Sequence, residues 1–483
     1  MKNLLAVGAA ALAAASLPSA VVAQSAPVPA VVPTPSFFTL APSPTPGPST
    51  ITVRLNVRVN TYAGVYADSG QNPGFVTSTA SSATSLGSPQ TNTKLTQYAF
   101  GEYARIYPGF DGIAANGMRY GAMLEIREDQ SSPPGGGING SISAQDRSRN
   151  TIFYRQQHMY VGADKLGYLR LGGAPGAATL LSTGTFENFN DGGWNGDVFV
   201  FFTTNTQVVW PFSTASSYYG TNKLTYVSPN FAGADFSISF EPSASNGTGS
   251  IGNCPYGVTA NAGINGPISG GLAALGCDTA SSTSTGDNAR RRNTVEAFAR
   301  YRAAVGAFGF AIAGGTIFSG RVADNATPAR AVQFRDQLIG DGGLDVTYGG
   351  LTVGGHITGG RVNGSLNTLL PEGQRDEFVW LVGASYAYGP FIVGASYYDI
   401  MSAGSKTAAT SPFVGNRNEY GVAAGGTYNF APGMNIFLTY LYGHRKQLGV
   451  DFLSGAVSSG ATQVTTHNNV QSQGFALGTQ FRW

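Results

Sequence analysis

The sequence predicts an all-β fold, a sixteen-stranded antiparallel transmembrane β-barrel over residues 51–483. Three observations support this prediction. Apolar and polar side chains alternate over stretches of about ten residues, short turns join these stretches in pairs, and long connections separate the pairs. An even number of strands with short turns at one end and long loops at the other is typical of a barrel in a bacterial outer membrane.

The strand count follows from the turns. Seven short turns rich in Gly and Pro are each flanked by two alternating stretches, at residues 108–116, 164–167, 229–233, 305–306, 349–350, 389–390 and 431–433. Their fourteen strands, with an opening strand at 51–67 and a closing strand at 473–483, make sixteen. A merged or missed hairpin would change the count to about fourteen or eighteen.

The N-terminus predicts export. A basic start at Lys2, an apolar run over 4–15 and small residues before Gln24 are typical of a secretory signal peptide over residues 1–23. Residues 24–50 are dense in Pro, Ala, Ser and Thr, and this composition predicts a periplasmic lead-in without a core of its own.

Composition narrows the class of protein. The chain contains 67 Gly, 11% aromatic and 11% charged residues, and its formal net charge is +2. No basic run collects enough charge to neutralise several phosphates, which argues against a nucleic-acid partner. No second apolar run reaches about 18 residues, so no transmembrane helix is predicted. The remaining classes are a soluble all-β protein and a membrane β-barrel.

The opening strand favours the membrane barrel. Alternate residues from Ile51 to Val59 are apolar, whereas Arg54 and Arg58 lie on the other face. An arginine that faces lipid near mid-depth costs about 2–4 kcal/mol, so both should face the lumen, which in a barrel of this width holds water. Aromatic residues near the short turns, such as Tyr107 and Phe110, are typical of an interfacial girdle.

The residues that usually carry chemistry are sparse. Cys254 and Cys277 lie in one segment rich in Gly and Ser, and after export they are predicted to form a disulfide that closes a loop of roughly 22 residues. The four histidines lie far apart, without the HExxH spacing, and no GxSxG nucleophile elbow is present. No catalytic residue, metal site or cofactor is therefore predicted.

Three stretches carry a family resemblance. These are YARIYPGFDGIAANGMRYGAMLEI at 103–126, RQQHMYVGADKLGYLRLGG at 155–173 and NKLTYVSPNFAGADFSISF at 222–240. In this order they resemble the general diffusion porins of Gram-negative outer membranes, and the resemblance covers residues 51–483. It implies a homotrimer, surrounded by outer-membrane lipid, that passes small hydrophilic solutes and ions by passive diffusion. The closing Trp483 stands where the family usually has Phe as its signal to the barrel-assembly machinery.

The resemblance also implies a third loop that folds inward and narrows the channel. This loop corresponds to residues 174–220, and the stretch at 186–197 is similar to its acidic tip. The implied acidic residues of the constriction are Glu187, Asp191 and Asp197.

The opposite side of such a constriction is a ladder of basic residues. Arg58 and Arg105 match the family positions on the first two strands, and Arg54 and Arg155 are additions by facing and position. Gly173 and Val227 depart from the family, because a basic residue can occupy either position. Fixed charges that face each other across water would produce a transverse field in the lumen.

Three other functions stay open. A channel selective for a sugar, phosphate or small organic anion is the closest alternative. A barrel enzyme that assembles catalytic residues from separate strands is another, as is a surface adhesin that uses the loop between Cys254 and Cys277 for recognition.

Overall fold

The computed structural model describes residues 46–69, 97–129, 153–196, 222–243, 292–320, 335–363, 370–406, 412–452, 456–459 and 462–483. The predicted signal peptide and most of the predicted lead-in lie outside these residues, as do Asp197, Cys254 and Cys277. Within the described ranges, no helix is long and apolar enough to cross a membrane.

The described residues form one closed antiparallel barrel of sixteen strands, which confirms the predicted fold. The strands are β1 Ile51–Asp68, β2 Tyr98–Ile113, β3 Arg119–Asp129, β4 Phe153–Ala163, β5 Gly167–Gly173, β6 Asn222–Val227, β7 Ala234–Ser243, β8 Arg292–Val305, β9 Phe308–Ser319, β10 Gln337–Tyr348, β11 Leu351–Gly360, β12 Glu377–Tyr388, β13 Phe391–Ser402, β14 Arg417–Ala431, β15 Met434–Gln447 and β16 Asn469–Arg482. The barrel closes where β1 pairs with β16, from Arg58 opposite Arg482 to Asp68 opposite Ser472.

The predicted turn at residues 108–116 was wrong in its first half. Strand β2 continues through Pro108 to Ile113, and the turn itself spans 114–118. Pairing with β1 persists at Pro108, opposite Leu55, but the ladder with β3 lapses between Ile106 and Gly109. Proline has no backbone N–H to donate, so the strand tolerates it where one of its two ladders is interrupted.

The two faces of the wall follow the alternation of the sequence. Ile51, Val53 and Leu55 are more than half exposed on the outer face. The side chains of Arg54 and Arg58 are only 16% and 14% exposed and lie on the inner face. The barrel therefore presents apolar side chains to lipid and polar side chains to its interior.

Aromatic rings gather on the outer face near the short turns. The ring centroids of Phe308 and Tyr348, and those of Phe391 and Tyr428, lie 4.7 Å apart. The expectation that Tyr107 belongs to this girdle was wrong. Its register partner is Asn56, which lies in the same inward phase as Arg54 and Arg58.

The largest buried apolar cluster lies inside the barrel rather than between two layers. It joins inward residues of several strands to residues of the connection after β5, namely Tyr62, Tyr103, Phe186, Phe189, Trp194, Val379, Leu381, Tyr398, Ile400, Ala423, Phe437, Leu441 and Ala476. One side of the interior is thus occupied by packed side chains of the strands and of this connection.

Candidate functional site

The connection between β5 and β6 is the third long loop, and its described part, residues 174–196, folds into the barrel. It contains helix α1, Ala177–Leu181, and a 3₁₀ turn at Gly193–Asn195. Most of its residues are buried against inward side chains of the strands. The inward fold that the resemblance implied is confirmed.

The start of the third loop is held by β6, β7 and β8. The backbone N–H groups of Ala177 and Ala178 donate to Ser239 Oγ at 2.8 Å and to Glu296 Oε2 at 2.9 Å. These two acceptors satisfy N–H groups that have no partner within a helical turn. Lys223 Nζ lies 3.8 Å from Glu296 Oε1 and donates to the Ala174 carbonyl at 3.2 Å.

The middle of the loop is held by β10 and β11. One ring nitrogen of His356, Nδ1, lies 2.7 Å from the Thr183 carbonyl, and the other, Nε2, lies 2.9 Å from Asp341 Oδ2. The next residue, Gly184, donates its N–H to Asp345 Oδ2 at 3.1 Å. Gly184 has a φ of +77°, and a Cβ there would lie 2.1 Å from a backbone oxygen of β11.

The tip of the third loop, residues 186–196, is seated on strand glycines. Three of its aromatic rings each lie over one glycine of β12, β13 or β14. The pairs are Phe186 with Gly383, Phe189 with Gly394 and Trp194 with Gly421. A Cβ at any of these glycines would lie 2.4–2.6 Å from the ring above it, so each seat requires the absence of a side chain.

The far end of the tip meets β1 and β2 through Asp191. Its carboxylate oxygen Oδ1 accepts hydrogen bonds from Asn60 Nδ2 at 2.7 Å, Arg58 Nη2 at 3.2 Å and Tyr103 Oη at 3.4 Å. The guanidinium of Arg105 lies 4.3 Å from the centre of the Tyr103 ring. Arg58 and Asp191 are therefore in direct contact, whereas opposed charges across water had been expected.

The remaining predicted site residues are dispersed. Arg54 Nε donates to Asp111 Oδ2 at 2.6 Å, and Glu187 is buried and lines a small cavity with Asp345. Arg155 belongs to β4, but its side chain is outside the described part of the structure. Asp197, Cys254 and Cys277 also fall outside it.

Sequence reasoning missed the residues that hold the loop in place. His356 and Glu296 contact the loop although no motif marks them. Two signals were available in the sequence: the inward phase of both residues, and glycines inside the alternating stretches of β12, β13 and β14.

At the end of the barrel that carries the long loops, Gln447 connects residues next to β13, β14 and β15. Gln447 Oε1 accepts hydrogen bonds from Ser405 N and Arg417 Nε, both at 3.0 Å. Its Nε2 donates to the carbonyls of Ala403 and Gly415 at 3.0 Å. One amide thus ties the loop between β13 and β14 to the end of β15.

The interior has a polar part and a part that the third loop fills. Charged and polar side chains line part of the interior, and the third loop occupies another part. Within the described residues, no group of three or more His, Cys, Asp or Glu side chains could hold a metal ion.

Comparisons with known proteins find a matching family model and similar solved structures. A family model described as Gram-negative porin matches residues 8–448. Among solved structures, OmpT, an outer membrane protein of Vibrio cholerae in trimer form, is 12% identical, with a TM-score of 0.46 over 90% of this chain and 99% of that chain. The anion-selective porin from Comamonas acidovorans is 12% identical, with a TM-score of 0.47 over 90% of this chain and 100% of the other. No curated protein matches the chain.

Proposed function

The chain belongs to the Gram-negative porin family, and we propose that its third loop and the facing arginines form the constriction of its channel. As a member of this family, the protein is an integral outer-membrane channel for the passive diffusion of small hydrophilic solutes. The proposal concerns which residues narrow the path and act on the charge of the solute.

The proposed constriction has an acidic and a basic set. The acidic residues are Glu187, Asp191 and Asp197, and the basic residues are Arg54, Arg58, Arg105 and Arg155. The contact of Asp191 with Arg58, Asn60 and Tyr103 carries the proposal, because it places the loop tip against the middle of β1 and β2. A solute that passes this point meets guanidinium groups on the wall and the loop beside them.

The test is the reversal potential of the purified protein in a planar bilayer under a salt gradient. Replacement of Arg58 and Arg105 by Gln should shift it towards cation preference, because positive charge is removed while Asp191 stays. Arg335→Gln is the matched control, since its ion pair with Asp376 lies among the long loops. An unchanged potential in the double variant would remove Arg58 and Arg105 from the constriction.

We further propose that the channel is a homotrimer that performs no chemistry. The family supports both statements, and a trimer would conduct in steps of three equal levels. The predicted segments complete the proposal: a signal peptide at 1–23, a lead-in at 24–50 and a barrel that the assembly machinery inserts into outer-membrane lipid. N-terminal sequencing of the mature protein should begin at Gln24. A monomer in mild detergent would contradict the homotrimer. Hydrolysis of test esters by the purified protein would contradict the statement that the channel performs no chemistry.

A further inference from the structure

Arginines collect on the inner wall at the end of the barrel that carries the short turns. We call this set the arginine row, and its members are Arg54 on β1, Arg170 on β5, Arg300 and Arg302 on β8, and Arg482 on β16. Short turns mark the periplasmic end of such a barrel. Most of the row therefore lies on the periplasmic side of the contact between the loop tip and β1, and Arg482 is level with that contact, opposite Arg58.

Strand register and contacts place the row on the inner face. Arg170 pairs with Thr225 of β6, whose hydroxyl lies 3.0 Å from Ser239 Oγ, the group that accepts from the third loop. Arg482 is opposite Arg58, which contacts the loop tip. An arginine in this phase faces the interior, because residues directly opposite each other share a face of the sheet.

Two carboxylates in contact with the row leave part of its charge unmatched. Asp111 holds Arg54 at 2.6 Å. Asp235 holds Arg300 through two bonds, at 2.6 and 3.1 Å, and lies 3.4 Å from Arg302. Among the described residues, no ion pair reaches Arg170 or Arg482.

Among the described residues, the five arginines of the row contact two carboxylates, which leaves a surplus of three positive charges. Part of this surplus is open to water, because the Arg302 side chain is 33% exposed and Arg482 is exposed. Two acidic groups of the inner wall and the third loop, Asp345 and Asp191, are covered. Asp191 is fully buried beneath three donors, and Asp345 is 8% exposed and accepts from Gly184.

We propose that the arginine row is a second charge-selective element, which extends from the constriction at Arg54 to Arg170, Arg300, Arg302 and Arg482, and that it gives this channel a preference for small anions. The inference rests on the proposed function, since it requires solutes to cross the lumen. One unmatched charge about 10 Å from the path changes the local concentration of a monovalent ion about twofold in water at low ionic strength. The low-dielectric wall strengthens the effect, and three such charges act together.

The test uses the full-length protein in planar bilayers under a gradient of dilute KCl. The reversal potential of wild-type channels should be shifted from zero towards the equilibrium potential of chloride. Arg170→Gln should lower the ratio of chloride to potassium permeability by at least about twofold, and Arg482→Gln should do so independently. Arg170→Lys keeps the charge and should keep the ratio. Arg335→Gln, at the opposite end of the barrel, should leave it unchanged.

The outcomes separate this inference from the function on which it rests. Conducting wild-type channels without chloride preference, or an unchanged ratio when Arg170, Arg302 and Arg482 are all replaced by Gln, would overturn the role of the row. A loss in Arg170→Lys equal to that in Arg170→Gln would overturn the charge explanation. Absence of any conductance from folded wild-type protein would instead contradict the channel itself.

Discussion

The seat of Phe189 on Gly394 predicts that a single methyl group narrows the channel. Phe189 is fully buried, and a Cβ at Gly394 would lie 2.4 Å from its ring atom Cδ1. Carbon atoms pack at about 3.5 Å or more, so in Gly394→Ala the ring must retreat by about 1 Å. Strand β13 lies behind the methyl group, and therefore the ring and the loop tip can move only towards the lumen.

Overpacking of this kind typically destabilises a protein by about 1–3 kcal/mol. The loop tip can shift at a lower cost than the hydrogen-bonded strands of the closed barrel. We expect Gly394→Ala to fold and to show a lower or more strongly fluctuating single-channel conductance than the wild type. The double variant Gly394→Ala with Phe189→Ala removes the clashing ring and should recover a steady conductance. The two substitutions should therefore be coupled, as contacting residues usually are.

Single-channel recording of the wild type, both variants and a matched control measures this effect. Gly340→Ala is the control, because it also adds a methyl group to a strand glycine but meets no atom within 4 Å. If Gly394→Ala conducts like Gly340→Ala, Phe189 is not fixed over Gly394 and the account of the glycine seats is wrong.

Two further predictions concern the wall and the loop anchor. Leu171→Arg places a charge on the lipid-facing side of β5, where Leu171 is 64% exposed, and should destabilise the barrel by about 2–4 kcal/mol and reduce its yield in outer membranes. Val227→Arg on the inner face should assemble normally, and equal yields would refute the assignment of faces. Glu296→Gln removes the carboxylate that lies 3.8 Å from the buried Lys223 Nζ and should cost about 3–5 kcal/mol, measured as a lower unfolding temperature in detergent. Glu296→Gln combined with Lys223→Met should recover much of that loss, and no recovery would argue against the pair.

Local patterns were sufficient for the barrel. Apolar residues such as Ile51 and Leu55 alternate with Arg54 and Arg58, and a period of two defines which face meets lipid. Short turns at Gly349–Gly350 and Gly389–Pro390 mark one end of the barrel, so strand number and orientation could be counted along the chain. The prediction at Pro108 was wrong because a proline in a sequence indicates a turn. Only the structure shows that the ladder between β2 and β3 is interrupted beside it.

The constriction could be predicted only in part. The resemblance implied an inward third loop and marked Arg58 and Asp191, and the structure brings these two residues into contact. It could not indicate that Glu296, His356 and Gly394 hold the loop. These residues lie 118, 173 and 205 positions further along the chain than Ala178, Thr183 and Phe189, the loop residues that they contact.

The sequence by itself determined the closed sheet, its two faces and its two ends, since each depends on neighbours a few residues apart. Only the tertiary structure decided which glycines accept the aromatic rings of the loop and which arginines lack a carboxylate. Both depend on strands that are distant in the chain and adjacent around the barrel, and strand register, rather than local composition, determines which of their side chains meet.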